Sequence, residues 1–267
     1  MSTDKIFGLS GKKALIAHPE APYGMEIARG FCEAGAEVFL CGPCMEGLRD
    51  VAGKLARSGQ KAEVLAEFRQ GSEADAAALA GAAKAGMGRI DCFVYVDPLL
   101  ALKGWDHEYK EIAENMRVTQ TGLMLTLKHI GAMMAENMAE KGTGSVLFVS
   151  DYAALAGCDA HNYDEAPDAF DEGFSLNYGF VKGSYVNYAR QAAGYLGEHN
   201  IRCNCLAYSP LEGMTPPGFE QAFIRHSHLK RMASALDVIG AAVFLASDAS
   251  SYITGITLPV DGGYTSK

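Results

Sequence analysis

The amino-acid sequence predicts an α/β fold: a single-domain, doubly wound parallel sheet of about seven strands with helices on both faces. Short apolar runs alternate along the whole chain with longer stretches in which Ala, Leu and charged residues recur at helical spacing. The 267 residues, 49% of them hydrophobic and 21% charged, suffice for one large core. No repeat or linker interrupts the pattern, so residues 1–267 are expected to form one domain.

The predicted strands are the short apolar runs between helical segments. In chain order they are Lys13–Ala17, Glu37–Cys41, Ala62–Glu67, Cys92–Val96, Ser145–Ser150, Ile201–Ala207 and Ile256–Val260. The helical segments between them include Met25–Ala34, Leu48–Arg57, Ala74–Ala85 and Ala241–Ala246. Because crossovers between parallel strands are right-handed, this alternation predicts a parallel sheet covered on both faces.

One segment departs from this alternation. Residues 158–177 contain six acidic residues and no Lys or Arg. The segment is predicted to form an exposed acidic loop or a lid outside the layered core. Its acidic residues are Asp159, Asp164, Glu165, Asp168, Asp171 and Glu172.

The overall charge excludes some classes of partner. With 23 Lys and Arg against 32 Asp and Glu, the net charge is −9, which repels nucleic acid and anionic membranes. No apolar run approaches the roughly 20 residues of a membrane span, and the first residues do not follow a signal-peptide pattern. Seven cysteines, an odd number, favour reduced thiols and hence a cytoplasmic location.

Three motifs carry a resemblance to a known family. Tyr178 and Lys182 form a YxxxK pair, Ile201–Asn204 reads I-R-x-N, and residues 237–263 follow a long C-terminal pattern that ends in V-D-G-G. In these motifs the chain is similar to the short-chain dehydrogenase/reductase family almost throughout its length. The resemblance implies a Rossmann-type fold and hydride transfer between a nicotinamide cofactor and an alcohol or ketone.

The resemblance assigns catalytic roles to two of these residues. Tyr178 would be the acid/base, and Lys182 would lower its pKa and hold the cofactor ribose. The two side chains share a helix face at this spacing, and a cation within about 4–6 Å lowers a phenol pKa by roughly 1–3 units. Asp151 stands where the family has a serine, and Thr119 where it has the relay asparagine. An ionised Asp151 is expected to oppose the Tyr178 phenolate and to neutralise Lys182.

The nucleotide loop departs furthest from the family pattern. Of the expected glycines only Gly24 is present, while His18, Glu20 and Pro22 occupy positions where backbone N–H groups should approach a pyrophosphate. The other cofactor contacts are also replaced. Cys41-Gly42 ends strand two, Arg69 stands in the adenine position, and Asp97-Pro98 follows strand four.

These losses favour a non-catalytic chain that binds no NAD(P), leaving Tyr178 and Lys182 vestigial. The expected partner is an active paralogue with bound NAD, in a heterotetramer. The pattern resembles inactive subunits of two-component hydroxyacyl-CoA dehydrogenases in anaerobic toluene degradation. One alternative is an active NAD(P)-dependent alcohol dehydrogenase or ketoreductase that uses Tyr178 and Lys182. Another is a cofactor-independent lyase of the halohydrin-dehalogenase type.

Other motifs favour simpler interpretations. Cys41 and Cys44 form a CxxC pair, and Cys203 and Cys205 lie in another region of the sheet, so neither a redox centre nor a metal site is expected. The basic stretch 225–231 is either an anion-binding patch or a solvated helix face. A stripe of aromatic and apolar residues runs along one helix from Tyr178 to Tyr195, and the resemblance implies a role in subunit assembly, because the equivalent helix of the family lies at a dimer interface.

Overall fold

A computed structural model describes residues 3–98, 100–170 and 175–267. Its single sheet has seven parallel strands in the order β3-β2-β1-β4-β5-β6-β7. The strands are β1 (Lys13–Ala17), β2 (Glu37–Gly42), β3 (Ala62–Glu67), β4 (Cys92–Val96), β5 (Gly144–Asp151), β6 (Ile201–Tyr208) and β7 (Thr257–Val260). The predicted fold class is confirmed, and each predicted strand end lies within one residue of the observed one.

Helices connect the strands and cover both faces of the sheet. They are α1 (Thr3–Phe7), α2 (Gly24–Glu33), α3 (Met45–Arg57), α4 (Glu73–Met87), α5 (Tyr109–Met116), α6 (Gly122–Lys141), α7 (Tyr178–Gly197), α8 (Pro217–His226) and α9 (Ala235–Ala246). Their starts follow local chemistry. Ser72 accepts a hydrogen bond from the Asp75 N–H before α4, and Ser234 with Asp237 forms a capping box before α9. A π-helical turn, Arg117–Thr121, joins α5 to α6.

Two apolar layers hold the helices against the sheet. Ile27 of α2 and Val238 of α9 are fully buried on one face. Leu79 of α4, Ile130 of α6 and Tyr185 of α7 are buried on the other. Each such side chain contributes roughly 1.5–3 kcal/mol by leaving water. No helix in the described ranges is long and apolar enough to span a membrane.

The strand order reverses between β1 and β4. These two strands are neighbours, with Ala17 paired to Tyr95. The chain continues from β1 to β2 on one side of this pair and from β4 to β5 on the other. A crevice therefore opens at the carboxyl ends of the strands, which is where open α/β sheets bind ligands. The segments that border it begin with His18 after β1 and Asp97 after β4.

An aromatic cluster covers the same edge of the sheet beyond β5. It consists of Tyr152, Tyr163, Phe219, Phe223 and Tyr264. The rings of Phe223 and Tyr264 are stacked with centroids 4.2 Å apart, and Tyr152 packs edge-on against both. The cluster joins the end of β5, the acidic segment, α8 and the C-terminal residues.

The acidic segment is thus anchored to the body of the chain. Besides Tyr163, it buries Asn162, which donates a hydrogen bond to the Tyr264 hydroxyl at 2.8 Å. Its acidic side chains at 164, 165 and 168 are exposed, as the composition predicts. Asp171 and Glu172 lie outside the described residues.

Candidate active site

A buried cluster of charged side chains lies where β4 and β5 end and α7 begins. Asp97, Asp151 and Lys182 are each less than 5% exposed. The Lys182 ammonium forms an ion pair with Asp97 and lies 3.2 Å from Oδ2 of Asp151. Burial alone would lower the pKa of Lys182, but the two carboxylates outweigh it and raise that pKa. Lys182 is therefore a permanent ammonium ion held by two acids.

Tyr178 completes the cluster. Its hydroxyl donates a hydrogen bond to Asp151, and the Lys182 ammonium lies 5.0 Å from the centre of its ring. Burial, followed by the Asp151 charge, raises the pKa of Tyr178 well above its ordinary value. The phenol is consequently protonated at neutral pH, although a lysine is close by.

The expected proximity of Asp151 and Lys182 is therefore present, and so is the opposition of Asp151 to a Tyr178 phenolate. The preceding residue, Ser150, does not replace the serine of the family pattern. Its buried hydroxyl donates to the backbone carbonyl of Lys182 at 3.2 Å, because successive strand residues point to opposite faces.

Thr119 occupies the π-helical turn between α5 and α6. Its buried hydroxyl donates to the backbone carbonyl of Asn115 at 2.7 Å, so it is engaged within its own helix. The amide of Asn115 instead accepts a hydrogen bond at 2.6 Å from Asn177, the residue immediately before Tyr178. This pair ties the π-helical region to the start of α7.

The loop after β1 forms a tight turn although all but one of the glycines of the family pattern are replaced. His18 and Tyr23 take φ angles of 59° and 73°, in the left-handed region that usually favours glycine. At Gly24 a side chain is impossible without rearrangement, since a Cβ would lie 2.7 Å from the Cα of Pro19. The one retained glycine therefore permits a close backbone approach.

His18 does not obstruct the crevice as the sequence suggests. Its side chain is 2% exposed and packs against the rings of Phe68 and Tyr95, at centroid distances of 5.7 and 5.5 Å. Burial lowers its pKa from 6.5 to about 4. Gln70 lies beside the ring, but neither ring nitrogen makes a hydrogen bond of normal geometry within the described part of the chain.

A cavity of about 370 Å³ lies over this loop, between the ends of β1, β2 and β4. Its walls include His18, Glu20, Pro43, Arg69 and Gln70. Three features fit the adenosine half of a dinucleotide: the position at the strand-order reversal, the start of α2 at the loop, and buried nitrogens of His18 and Gln70 that lack a hydrogen bond of normal geometry within the described residues. Side chains here replace the usual glycine cradle.

A second cavity, of about 360 Å³, is lined in part by Tyr178. Tyr152, Tyr163, Met214 and Phe219 supply apolar walls, and Lys103 lies among the lining residues. A narrow space bounded by Asp97, Tyr178 and Lys182, among others, lies against the charge cluster. Tyr178 thus borders both the aromatic cavity and the buried charges.

Nothing in the sequence singles out Gln70, and Glu20 and Asp97 stand out there only as departures from the family pattern, not as contributors to a site. Gln70 accepts a hydrogen bond from the buried Tyr95 hydroxyl, and Glu20 reaches over Gly42 at the end of β2. Only Asp97 had a usable signal: it directly follows a strand, and strand ends meet at one edge of a parallel sheet.

The competing motifs have local explanations. All seven cysteines are free, and burial raises the pKa of Cys41, against the thiolate that redox chemistry requires. In the basic stretch, Arg225 pairs with Glu165 at 3.4 Å and Arg231 pairs with Asp237 at 2.7 Å. Acidic side chains of this chain therefore neutralise much of the patch.

Comparison with known proteins gives relatives of nearly full length. The chain is 27% identical to 7alpha-hydroxysteroid dehydrogenase of Escherichia coli, over 96% of this chain and 94% of that protein. It is 29% identical to cis-4-hydroxycyclohexanecarboxylate dehydrogenase of Sinomonas cyclohexanicum, over 94% and 96%. The structure of gluconate 5-dehydrogenase from Burkholderia cenocepacia, in complex with NADP and tartrate, matches with a TM-score of 0.80 at 23% identity, covering all of both chains.

The expectation of a non-catalytic chain without NAD(P) is therefore wrong. The relatives are named as dehydrogenases, and the matching fold has been solved with NADP bound. The error has a physical origin in the loop: a side chain in place of a glycine need not obstruct the crevice, because His18 turns into the core and the crevice stays open.

The strand order, the YxxxK pair on α7 and the crevice at the β1–β4 reversal agree with one family. The family model described as "Enoyl-(Acyl carrier protein) reductase" matches residues 22–265, nearly the whole chain. The chain belongs to the short-chain dehydrogenase/reductase family.

Proposed function

We propose that the chain is an NAD(P)-dependent alcohol dehydrogenase or ketoreductase in which Tyr178 transfers the proton. The observation that carries this proposal is the position of Tyr178, which lines the aromatic cavity and lies directly against Lys182. The names of the near full-length relatives support the reaction class.

The cofactor, when bound, supplies the hydride to a carbonyl carbon or accepts it from an alcohol. Its adenosine half would lie against His18, Glu20 and Gln70, and its ribose at the nicotinamide end would lie towards Lys182. The protein itself contributes the proton transfer. Tyr178 is protonated at neutral pH, so it can give its phenol hydrogen to a carbonyl oxygen as the hydride arrives at carbon.

The charges of Asp151 and Lys182 determine the free energy of this proton transfer. Asp151 holds the phenol hydrogen until a substrate oxygen competes for it. Lys182 stabilises the tyrosinate that remains, and Tyr178 then regains a proton from solvent. Because Asp151 makes the phenolate costly, the protonated Tyr178 that donates to a carbonyl is fully populated near neutral pH, whereas the tyrosinate that would accept a proton from an alcohol is scarce.

The aromatic cavity indicates the substrate class. Walls of Tyr152, Tyr163, Met214 and Phe219 suit a ketone or alcohol with an apolar body. A hydroxyacyl-CoA as the substrate is a narrower prediction, which rests on the family resemblance alone.

The test is turnover by the isolated chain. A panel of apolar ketones and alcohols would be assayed with NADH and with NADPH by nicotinamide absorbance. Tyr178→Phe should lower turnover by about 10²–10⁴-fold while cofactor affinity is unchanged. Tyr195→Phe, an exposed position on the same helix, is the matched control. Equal turnover by Tyr178→Phe and wild type would refute the assignment.

Assembly and compartment stay proposals. Exposed Phe180 and Tyr195 give α7 an outer aromatic surface that a further short-chain dehydrogenase chain, in a heterotetramer, would cover. The free thiols of all seven cysteines support a reducing compartment such as the cytoplasm.

A further inference from the structure

The end of β2 carries no side chain at the place where dinucleotide-binding sheets usually place a recognition group. In such sheets an acidic residue roughly 20 positions beyond the first turn binds the adenosine ribose hydroxyls, or a nearby arginine accepts a 2′-phosphate. Here that place is Gly42, the last residue of β2.

A carboxylate from another loop fills this space. A Cβ built on Gly42 would lie 2.6 Å from Oε1 and 2.7 Å from Oε2 of Glu20. Glu20 belongs to the loop after β1, so it reaches across to β2 and occupies the volume that a side chain at residue 42 would need. Any larger residue at 42 would displace it.

We propose that Glu20 binds the adenosine ribose hydroxyls of the cofactor and thereby selects NAD(H) over NADP(H). This inference rests on the proposed function. Glu20 lines the same cavity as His18 and Gln70, and the ring nitrogens of His18 and the amide nitrogen of Gln70 lack partners of normal geometry in the described part of the chain. Two ribose hydroxyls suit a carboxylate that offers two oxygens.

The charges around the cavity agree with this selection. Within the described ranges no basic side chain forms an ion pair with Glu20, while Arg69 is held by Glu67 at 3.1 Å. The Glu20 carboxylate is partly desolvated, which raises its pKa, but it still repels a 2′-phosphate. Arg69 also lines the cavity and would be the group that recognises NADP(H) if the selection were reversed.

The experiment measures binding rather than activity. Calorimetric titration of the full chain with NADH and with NADPH should show NADH binding about 10–100-fold more tightly, the range for charge-assisted hydrogen bonds. Adenosine 5′-monophosphate and its 2′-phosphorylated counterpart should differ in the same direction, because the difference arises at the ribose.

Variants assign the effect to one side chain. Glu20→Gln should weaken NADH about tenfold or more and reduce the preference over NADPH. Glu33→Gln, which removes the same charge from an exposed position at the far end of α2, should change neither affinity. Circular dichroism and thermal unfolding would confirm that each variant is folded.

The outcomes separate the two proposals. Tighter NADPH binding by the wild type, or an unchanged preference in a folded Glu20→Gln variant, overturns the role of Glu20 and leaves the reductase proposal standing. Failure of both dinucleotides to bind overturns the proposed function as well.

Discussion

Replacing Asp151 by serine tests whether the acid beside Tyr178 controls its proton. The Asp151 carboxylate accepts the phenol hydrogen bond and lies 3.2 Å from the Lys182 ammonium. Asp151→Ser removes one negative charge from a buried site, so the tyrosinate form becomes easier to reach. Unit charges about 4 Å apart interact by about 4 kcal/mol at an effective dielectric constant of 20.

Removing the repulsion between Asp151 and the Tyr178 phenolate should shift the pH dependence of the reaction. Since each 1.4 kcal/mol corresponds to one pH unit, the pH profile of alcohol oxidation should move down by about 2 units once part of the energy is lost to relaxation. The tyrosinate fraction at neutral pH rises accordingly, and alcohol oxidation there should become about 10–100-fold faster. Ketone reduction should lose rate at high pH.

The assay combines initial rates across pH with tyrosinate difference absorbance, using Asp151→Ser/Tyr178→Phe as the blank. Serine keeps the local fold, because its hydroxyl can accept from the Ala153 N–H as Asp151 does now at 2.9 Å.

Asp159→Ser is the matched control. Asp159 caps a short helical turn in the same way, accepting from the His161 N–H at 3.0 Å, but it is not among the groups that raise the pKa of Tyr178. A profile that stays in place for Asp151→Ser, or that moves equally for Asp159→Ser, would show that Asp151 does not govern the proton.

The remaining predictions concern stability in urea unfolding. His18 is neutral when buried, and a fall of its pKa from 6.5 to about 4 means that the unfolded chain binds the proton first. Stability is therefore full above about pH 6.5 and falls by about 3 kcal/mol as the pH drops to about 4, a loss that His18→Asn should abolish. Gly24→Ala should lower the free energy of unfolding by about 1–3 kcal/mol, because its Cβ would contact the backbone of Pro19. Gly47→Ala in α3, where the surrounding space is open, should leave the free energy of unfolding unchanged or raise it. Lys182→Met should lower the free energy of unfolding by about 3–5 kcal/mol at neutral pH, because it removes the cation that pairs with Asp97 and Asp151. Lys54→Met, in an exposed pair, should lower it by less than about 1 kcal/mol.

Each of these has a clear contrary result. An acid-sensitive His18→Asn variant would place the pH dependence elsewhere. Equal stabilities for the two glycine variants would mean that the loop can shift, and a mild Lys182→Met variant would mean that the acids take up protons in its absence.

The sheet could be predicted from the sequence because its central strands are buried on both faces. Cys92–Val96 is a short continuous apolar run, as expected for a strand buried on both faces, and Ile201–Ala207 is buried throughout although it contains Arg202 and Asn204. Tyr178 and Lys182 could also be placed together, since a helix puts residues four apart on one face.

The crevice at the β1–β4 reversal could not be predicted in the same way. Whether His18 points into the crevice or into the core depends on Phe68 and Tyr95, which lie far away in the sequence. The contact of Glu20 with Gly42 likewise arises only when two loops meet at the sheet edge. Residue identity alone indicated obstruction; the tertiary contacts determine where each side chain goes.

The aromatic cluster has a mechanical consequence for the charged site. Tyr152 belongs to the cluster that lines the aromatic cavity, and its neighbour in the chain, Asp151, belongs to the buried charges. One peptide bond therefore links the aromatic cluster to the group that holds the Tyr178 hydrogen. We therefore expect a substitution that displaces Tyr152 within the cluster to displace Asp151 as well, through the backbone that the two residues share.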